Sequence, residues 1–462
     1  MEPICRRAFI VLATGAGASS LLAACGQAVT PPGQQPTGPQ AAAQSTPVAA
    51  AQNIAAKPSI SVWTWTSVEN MVSWNAAADK FRKKYPDITL ALQHIPINQY
   101  WEKVTVGYAG DAFPDIVYLP PVQGHDLGTR GILTDLSAFV KADNFDIAAI
   151  KPATQKPYMW GGKIYAINAM NDTAYLAYNA TLLKEAGIAE PLPQKWEADF
   201  SVDQFLDLAR KLTDPAKQQW GFAQPGRDLH FVHLFGGRLW DDDDYPTRCV
   251  LDSPEAIEGL QFIQDLIYKY RVHPGAGDTA GIGDPSGIGP TDDVFKTGKI
   301  GFVYGRYKHA TGIFKSITDF EWSMTTFPTH GSSPRRTDMG INAFGIVNKS
   351  KNQEAAWQWI KWMTADEGNA QLLGNTSLPA NKNVDAYKVS PLAKWQTDLT
   401  LDGLSNAWLQ SPHPNVRPEM IDALNQELDK LWLNKGTGAE VGKAAAQAVN
   451  DVFQKLGPAV PK

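Results

Sequence analysis

Hydrophobic residues alternate with polar ones along several short segments of the chain and recur at helical spacing along others. The alternating or fully apolar short runs predict β-strands over residues 59–65, 88–92, 115–119, 163–169, 174–178, 299–304 and 343–347. Apolar residues at helical spacing predict α-helices over residues 74–85, 254–267, 355–364, 418–433 and 441–456. Strands that alternate with helices are typical of an α/β sheet with crossover helices. We therefore expect an α/β fold.

Residues 1–24 combine a positively charged start, a short apolar run and a motif that precedes a cysteine. Arg6 and Arg7 come before an apolar stretch too short to span a bilayer, which ends in Leu-Ala-Ala-Cys-Gly around Cys25. This pattern predicts a lipoprotein signal peptide, with Cys25 as the lipidated first residue of the mature protein. A plain cleaved signal with an incidental cysteine is the alternative. The paired arginines also resemble a twin-arginine signal, so export by the Sec and the twin-arginine route both stay open.

Residues 25–58 follow the signal and consist mainly of Ala, Pro, Gln, Gly, Thr and Ser. Such a composition cannot bury enough apolar surface to offset the entropy of ordering, so we expect a disordered linker. Residues 59–462 are too many for one hydrophobic core and suit two domains. After the signal, no apolar run is long enough to cross a membrane, so a lipid on Cys25 would be the only anchor.

Charge and cysteine content exclude several classes of protein. The net charge is −5, and neither Lys nor Arg forms a block that would favour nucleic acid as a partner. Of the three cysteines, Cys5 lies in the signal and Cys25 is the predicted lipid site, which leaves Cys249 alone in the body. The body therefore has no disulfide and must be stabilised by an ordinary large core.

Several stretches occur in the same order as in a known family. The motifs are AFPDIVY at 112–118, GILTDL at 131–136, GKIYAI at 162–167, AYN at 177–179 and GKIGFVYGRY at 298–307. Two further matching segments are residues 182–187 and 342–364. In this order they resemble the family 1 extracellular solute-binding proteins of ABC importers, the group to which maltose-binding proteins belong. The resemblance extends over residues 59–456.

This resemblance implies a two-lobed periplasmic-binding-protein-like fold (type II), in which each lobe is a mixed sheet flanked by helices. Lobe one would hold residues 59–169 and 308–363, and lobe two would hold residues 170–307 and 364–462. A small solute would bind between the lobes, and lobe closure around it would signal a loaded receptor to the permease subunits in the membrane. The resemblance implies a monomer without cofactor or metal.

Candidate ligand contacts follow from the chemistry of sugars, which offer hydroxyl groups around a ring with apolar C–H faces. Such ligands need aromatic side chains for stacking and planar polar side chains for paired hydrogen bonds. Strand ends, expected lobe crossings and family positions select Trp65, Ser67, Glu69, Tyr118, Gln123, Asn171, Asp172, His230, Trp240, Arg306, Tyr307, Gly340 and Trp408. For Trp65, Trp240 and Trp408, packing in a core is an equally good interpretation. Asp172 and Tyr307 have the additional support of matching family positions.

An enzyme is the first alternative. His230 and His233 have the i, i+3 spacing of a helical metal pair, but no third ligand stands at a recognisable spacing. The chain has no HExxH motif, no phosphate-binding loop and no Gly-x-Ser-x-Gly motif. Glycoside hydrolysis needs only two facing carboxylates and stays open.

A different ligand is the second alternative. Arg306, Arg335 and Arg336 could pair with a phosphate, as in receptors for glycerol-3-phosphate. Fifteen tryptophans favour a neutral sugar instead. A structural lipoprotein that imports nothing is a further alternative.

Overall fold

The computed structural model describes residues 57–457 apart from 67, 69, 225–226, 244, 276–277, 279–290, 366–376 and 410–414. The predicted signal peptide and lipidation site at Cys25 lie outside the described residues, as do the candidate contacts Ser67 and Glu69. Within the described ranges, no helix has the length and apolar character needed to cross a membrane.

Twelve β-strands occur in the described part of the chain. They are β1 (Ser59–Thr64), β2 (Thr89–His94), β3 (Ile116–Leu119), β4 (Met159–Trp160), β5 (Lys163–Ile164), β6 (Ile167–Asn179), β7 (Trp220–Ala223), β8 (Ile300–Arg306), β9 (Trp322–Thr325), β10 (Thr337–Ile346), β11 (Leu378–Pro379) and β12 (Ala407–Leu409).

The described α-helices lie between and after these strands. They are α1 (Met71–Lys84), α2 (Ile97–Ala109), α3 (Pro121–Thr129), α4 (Ser137–Ala142), α5 (Pro152–Gln155), α6 (Ala180–Glu185), α7 (Val202–Lys211), α8 (His230–Leu234), α9 (Pro254–Tyr268), α10 (Thr291–Lys296), α11 (Tyr307–Thr311), α12 (Gln353–Ala365), α13 (Ala386–Val389), α14 (Lys394–Ser405), α15 (Pro418–Trp432) and α16 (Gly438–Leu456).

Helix starts follow from local capping chemistry. The Ser253 side chain accepts from the Ala256 amide, with Pro254 at the first helical position of α9. Helix α16 begins with a capping box, in which Thr437 and Glu440 satisfy each other's backbone amides. Each predicted helix is present, with ends shifted by up to three residues, because fraying and capping decide the last turn.

The first group of strands forms a mixed sheet. Strand β1 pairs parallel with β2 and with β3, and β10 pairs antiparallel with β3 and with the first half of β6. Strand β12 adds parallel to β10, and β11 adds antiparallel to β6. The strand order β2-β1-β3-β10-β6 places the long strands β6 and β10 at the side of the sheet that leads to the rest of the molecule.

A second mixed sheet is built on the other half of β6. Residues 174–178 of β6 pair antiparallel with β8, residues 176–179 pair antiparallel with β9, and β7 pairs parallel with β8. The sequence pattern predicted two strands, at 163–169 and 174–178, where the structure has one continuous strand β6. The polar residues between them continue the strand because they pair with β10, at Asn171 with Ile341 and at Asp172 with Gly340.

Two lobes result, each with its own sheet and cores. In lobe one, alternate residues of β1 face opposite sides of the sheet: Ile60 and Val62 pack with α1 and α12, whereas Trp63 packs with α2 and α3. In lobe two, α7, α8, α9, α15 and α16 cover one side of the sheet, and a smaller core around Phe295 and Phe314 covers the other. The expected two-lobed α/β fold with a mixed sheet in each lobe is confirmed.

The division of the chain between the lobes differs from the expected one in two segments. Residues 308–336 were expected in lobe one, but Ala310, Phe314 and Met324 pack in a lobe-two core, since β9 pairs with the second half of β6. Residues 378–380 were expected in lobe two, but β11 pairs with the first half of β6 and Ala380 packs in a lobe-one core. Strand pairing, which the hydrophobic pattern does not specify, decides both segments.

Candidate functional site

The strands β6 and β10 pass together from one lobe to the other and bring polar residues to the crossing. Gly340 of β10 lies directly opposite Asp172 of β6. A side chain at position 340 would place its Cβ 3.3 Å from Nη1 of Arg306. Glycine is therefore the residue that leaves room for the Arg306 guanidinium beside the crossing.

Arg306, Asp338 and Tyr304 form a buried network beside this crossing. The Arg306 guanidinium forms an ion pair with the Asp338 carboxylate and donates a 2.9 Å hydrogen bond to the Tyr304 hydroxyl oxygen. The Tyr304 hydroxyl in turn donates to Asp338. Burial holds the pKa of Tyr304 well above its ordinary value, so this hydroxyl keeps its proton. The network neutralises most of the charge on Arg306.

Asp172 is half-buried, and its Oδ1 atom has no hydrogen-bond partner among the described residues. Burial raises the pKa of this carboxyl, Arg306 and Lys308 oppose the rise, and Asp338 adds to it. A buried oxygen without a partner costs free energy unless a ligand or water donates to it. Asp172 is thus placed to accept a hydrogen bond from a ligand.

Asp228 and His230 stand at the start of α8. The Asp228 Oδ1 atom accepts a 2.8 Å hydrogen bond from the His230 backbone amide, at the N-terminal end of this short helix. Burial raises the pKa of Asp228 to about 7, and the nearby carboxylate of Asp338 contributes to the rise. Asp228 therefore changes its charge near neutral pH.

An aromatic cluster surrounds the two histidines of α8. The Trp408 ring stacks on His233, with 4.0 Å between ring centroids, and tilts against His230 at 4.9 Å. Burial lowers the pKa of His233 to about 3 and the pKa of His230 well below its ordinary value, so both imidazoles are neutral. Neither ring nitrogen of His230 forms a hydrogen bond of ordinary geometry within the described residues, although the Arg336 backbone lies close to the ring.

A cavity of about 160 Å³ opens beside this cluster in lobe two. Asp228, His230, Asp338 and Trp408 form its polar and aromatic wall. Its apolar wall consists of Leu229, Leu239, Ile421, Leu424 and Leu428, and Trp240 also lines it. The cavity lining thus offers both hydrogen-bond acceptors and aliphatic surface.

Trp65 and the buried Tyr118 form an aromatic pair in lobe one. The half-buried Trp65 donates its indole N–H to the Tyr118 carbonyl at 3.2 Å, and the two rings are 5.3 Å apart. The pKa of the Tyr118 hydroxyl is raised, first by burial and then by Asp172. The aromatic pair of lobe one therefore lies near the carboxylate at the crossing.

The structure brings most of the described candidate residues to this region. Around the crossing and the cavity lie Trp65, Tyr118, Asp172, His230, Trp240, Arg306, Gly340 and Trp408. Trp240 is itself buried and packs edge-on against Phe453, so it supports the cavity wall.

Three candidate residues have other surroundings. Asn171 is fully buried, accepts from Asn168 at 2.9 Å and donates to the Pro379 carbonyl. Tyr307 is fully buried and donates to Ser390 Oγ at 2.9 Å, instead of offering a ring face for stacking. Gln123 is half-buried on α3, and its side chain forms no hydrogen bond with another described residue. Asn171 and Tyr307 thus stabilise the crossing from inside the protein.

Sequence reasoning missed four residues of the region: Asp228, Tyr304, Asp338 and Asn342. Strand alternation could have found two of them, because Asp338 and Asn342 share a strand face with Gly340. Asp228 gave the weaker signal of a carboxylate two residues before His230. No group of three or more potential metal ligands is present among the described residues.

Two α/β lobes joined by crossing strands, with polar and aromatic residues gathered at the crossing, form the architecture of a solute-binding protein. The chain belongs to the family of bacterial extracellular solute-binding proteins, whose model matches residues 65–370. This family places the protein outside the cytoplasm, and its members bind solutes.

Solved structures and a curated relative agree with this assignment. The ABC substrate-binding protein Lmo0181 from Listeria monocytogenes, in complex with cycloalternan, superposes with a TM-score of 0.76 and 22% identity over 86% of this chain and 99% of that one. UgpB from Mycobacterium tuberculosis, in complex with glycerophosphocholine, superposes with a TM-score of 0.73 and 16% identity over 86% of this chain and 99% of that one. The maltotriose-binding protein of Pyrococcus abyssi is 21% identical over 322 residues, 66% of this chain and 62% of the relative.

Proposed function

We propose that this protein is a carbohydrate receptor of an ABC importer. It captures a mono- or oligosaccharide between its two lobes and delivers the sugar unchanged to the permease subunits. Maltotriose-binding and arabinooligosaccharide-binding proteins are among its curated relatives, which supports a sugar as the ligand class.

The unpartnered Asp172 oxygen beside an aromatic pair is the observation that carries this proposal. Oδ1 of Asp172 is buried without a donor, and Trp65 and Tyr118 lie nearby. A sugar suits both the unpartnered oxygen and the aromatic ring, because a hydroxyl group donates to the carboxylate while a C–H face packs on the ring. Residues of both lobes contribute, so a bound sugar favours the closed arrangement.

A phosphorylated polyol is the alternative ligand, and the arginines argue against it. Arg306 is already paired with Asp338, and Arg335 donates to the carbonyls of Trp196 and Ala198. Asp172, Asp228 and Asp338 repel an anion from the same region. A phosphate would therefore meet three carboxylates, with Arg336 near His233 as the remaining arginine of the region.

The N-terminal region completes the proposed function. A lipid on Cys25, followed by the Ala/Pro/Gln-rich linker over 25–58, would tether the receptor to the outer face of the cell membrane. A tethered monomer stays close to the permease without spanning the membrane. Replacing Cys25 by Ala should move the protein from the membrane fraction to the soluble fraction and abolish incorporation of labelled fatty acid.

A thermal-shift screen of neutral sugars, polyols and their phosphates tests the ligand class. A ligand at 100 times its Kd stabilises the folded state by about 2.7 kcal/mol, so binding of a neutral sugar should raise Tm clearly. Stabilisation by phosphorylated polyols alone would contradict the proposal. A bound oligosaccharide should also be recovered intact by chromatography after incubation, whereas shortened products would identify a glycan-active enzyme.

A further inference from the structure

The lobe-two cavity has the size of a ring-shaped ligand group. Its volume is about 160 Å³, and a protein cavity of about 150 Å³ holds a benzene molecule. The aliphatic wall around Leu239, Leu424 and Leu428 suits the C–H face of a six-membered ring. Asp228, His230 and Trp408 also line the cavity and suit polar substituents.

Three arginines around this cavity are each paired with a carboxylate. Arg227 forms an ion pair with Asp429, Arg238 with Asp243, and Arg306 with Asp338. Asp228 differs, because it forms no ion pair within 4 Å in the described part of the chain. Asp228 is therefore the carboxylate of the cavity wall without a cationic partner within that distance, while Arg336 lies close enough to His233 to add to the effect of burial in lowering the pKa of that imidazole.

His230 gives a second and independent sign of a missing ligand. Its side chain is almost completely buried in the cavity wall. The Arg336 backbone lies close to the ring, but no described group donates a hydrogen bond to either ring nitrogen. A neutral imidazole has one nitrogen that accepts a hydrogen bond. A donor group inside the cavity would satisfy this acceptor together with Asp228.

We propose that the carbohydrate captured by this receptor is aminated, and that its protonated amino group is held in the lobe-two cavity by Asp228 and His230 beneath the Trp408 ring. The ammonium pairs with the Asp228 carboxylate, donates to the imidazole and lies near an indole face, where a cation is attracted. The sugar ring packs on the aliphatic wall. This inference rests on the proposed function and specifies its substrate class.

Proton release gives the proposal a distinctive signature. Because the pKa of Asp228 is about 7, this carboxyl is partly protonated at neutral pH. A bound ammonium favours the ionised form, opposing the effect of Asp338 and adding to that of Arg306. Binding should then release protons from Asp228, whereas a neutral sugar in the same place releases none. Calorimetry in buffers of different ionisation enthalpy measures this release.

Matched pairs of sugars test the proposal on the full chain. The pairs are glucose with glucosamine, galactose with galactosamine, and cellobiose with the chitosan dimer, each compared by thermal shift and calorimetry at pH 7. A charge-assisted hydrogen bond favours at least one amino sugar over its neutral partner by about tenfold. Asp228→Asn should abolish this preference, because the amide keeps the hydrogen bond to the His230 backbone and loses the charge.

Two further variants keep the outcome interpretable. Asp79→Asn removes a carboxylate of an exposed ion pair with Arg82 in lobe one and should leave the preference unchanged. Asp228→Glu keeps the charge and should retain part of the preference. Equal binding within every pair, a preference that persists in Asp228→Asn, or no stabilisation by any amino sugar would each overturn the inference. If neutral sugars still bind in these cases, the proposed carbohydrate receptor stands; if no sugar of the wider screen binds, it fails as well.

Discussion

The Asp338 carboxylate and the Arg306 guanidinium form an ion pair that is almost completely buried, beside the strands that join the two lobes. The Tyr304 hydroxyl completes the arrangement by bonding to both partners. Asp338 has a second structural role, since it pairs with Trp408 in the register between β10 and β12. A single pair of residues therefore connects the crossing strands, the aromatic cluster and the cavity.

Breaking this ion pair should destabilise the protein strongly. Asp338→Asn leaves a buried guanidinium without its main counter-ion, and such losses cost about 3–5 kcal/mol. Urea unfolding measures the change in unfolding free energy. Asp79→Asn removes the partner of Arg82 in an exposed pair and should cost less than about 1 kcal/mol. Similar losses in both variants would show that burial does not govern the Arg306–Asp338 pair.

Trp65→Ala should weaken sugar binding by about tenfold, or ~1.4 kcal/mol, because a half-buried indole beside Tyr118 supplies the aromatic surface of lobe one. Isothermal titration with the sugar found by the thermal-shift screen measures the effect. Trp322→Ala, at another half-buried tryptophan that packs on Phe314 in lobe two, is the matched control and should keep wild-type affinity. An unchanged Kd for Trp65→Ala would remove this residue from the site.

Asp172→Asn should lower sugar affinity by about tenfold, since a hydrogen bond to a charged acceptor contributes more than one to an amide. The same change should not lower stability at pH 7. The pKa of Asp172 is raised in the folded state, so its ionised form destabilises the fold and the neutral amide removes that cost. Titration and urea unfolding at pH 7 separate the two effects. Loss of stability together with affinity would indicate a structural role instead.

The pH dependence of stability should change in Asp228→Asn. The pKa of Asp228 is about 7 in the folded protein, against 3.8 for an ordinary carboxyl. The protonated carboxyl therefore contributes its full stabilisation of the folded state below about pH 4, and this contribution is lost as pH rises through 7. The asparagine variant keeps a neutral group throughout. Its stability relative to the unmodified protein should therefore increase from about pH 4 to pH 8 in urea unfolding. Parallel stability curves would contradict the raised pKa.

Tyr307→Phe should cost about 1 kcal/mol of stability and leave sugar affinity within about twofold, because the variant loses the hydrogen bond to Ser390 Oγ in a buried setting. This expectation replaces the stacking role that family position favoured. A double-mutant cycle with Ser390→Ala isolates the interaction. A large loss of affinity with unchanged stability would return Tyr307 to the ligand site.

The site was harder to predict than the fold because its residues depend on pairing between distant strands. Asp172 and His230 had chemistry and position that the sequence could support, and both lie in the region that the structure identifies. Asn171 looked equally suitable, but its side chain accepts a hydrogen bond from Asn168 and donates one to the Pro379 carbonyl. Asp338 was missed because its importance depends on contact with Arg306, 32 residues away in the chain.

The hydrophobic periodicity by itself located seven strand segments and five helices, because residues two apart share a strand face and residues three or four apart share a helix face. It did not locate others, such as α2, α7, β7 and β9. It also determined the α/β class, since strands and helices alternate along the chain. Only the tertiary structure decided that β6 continues through Asn171 and Asp172, and that residues 308–336 belong to lobe two. The pKa values of Asp228 and Asp172 were likewise decided there, because burial and neighbouring charges depend on contacts between distant segments.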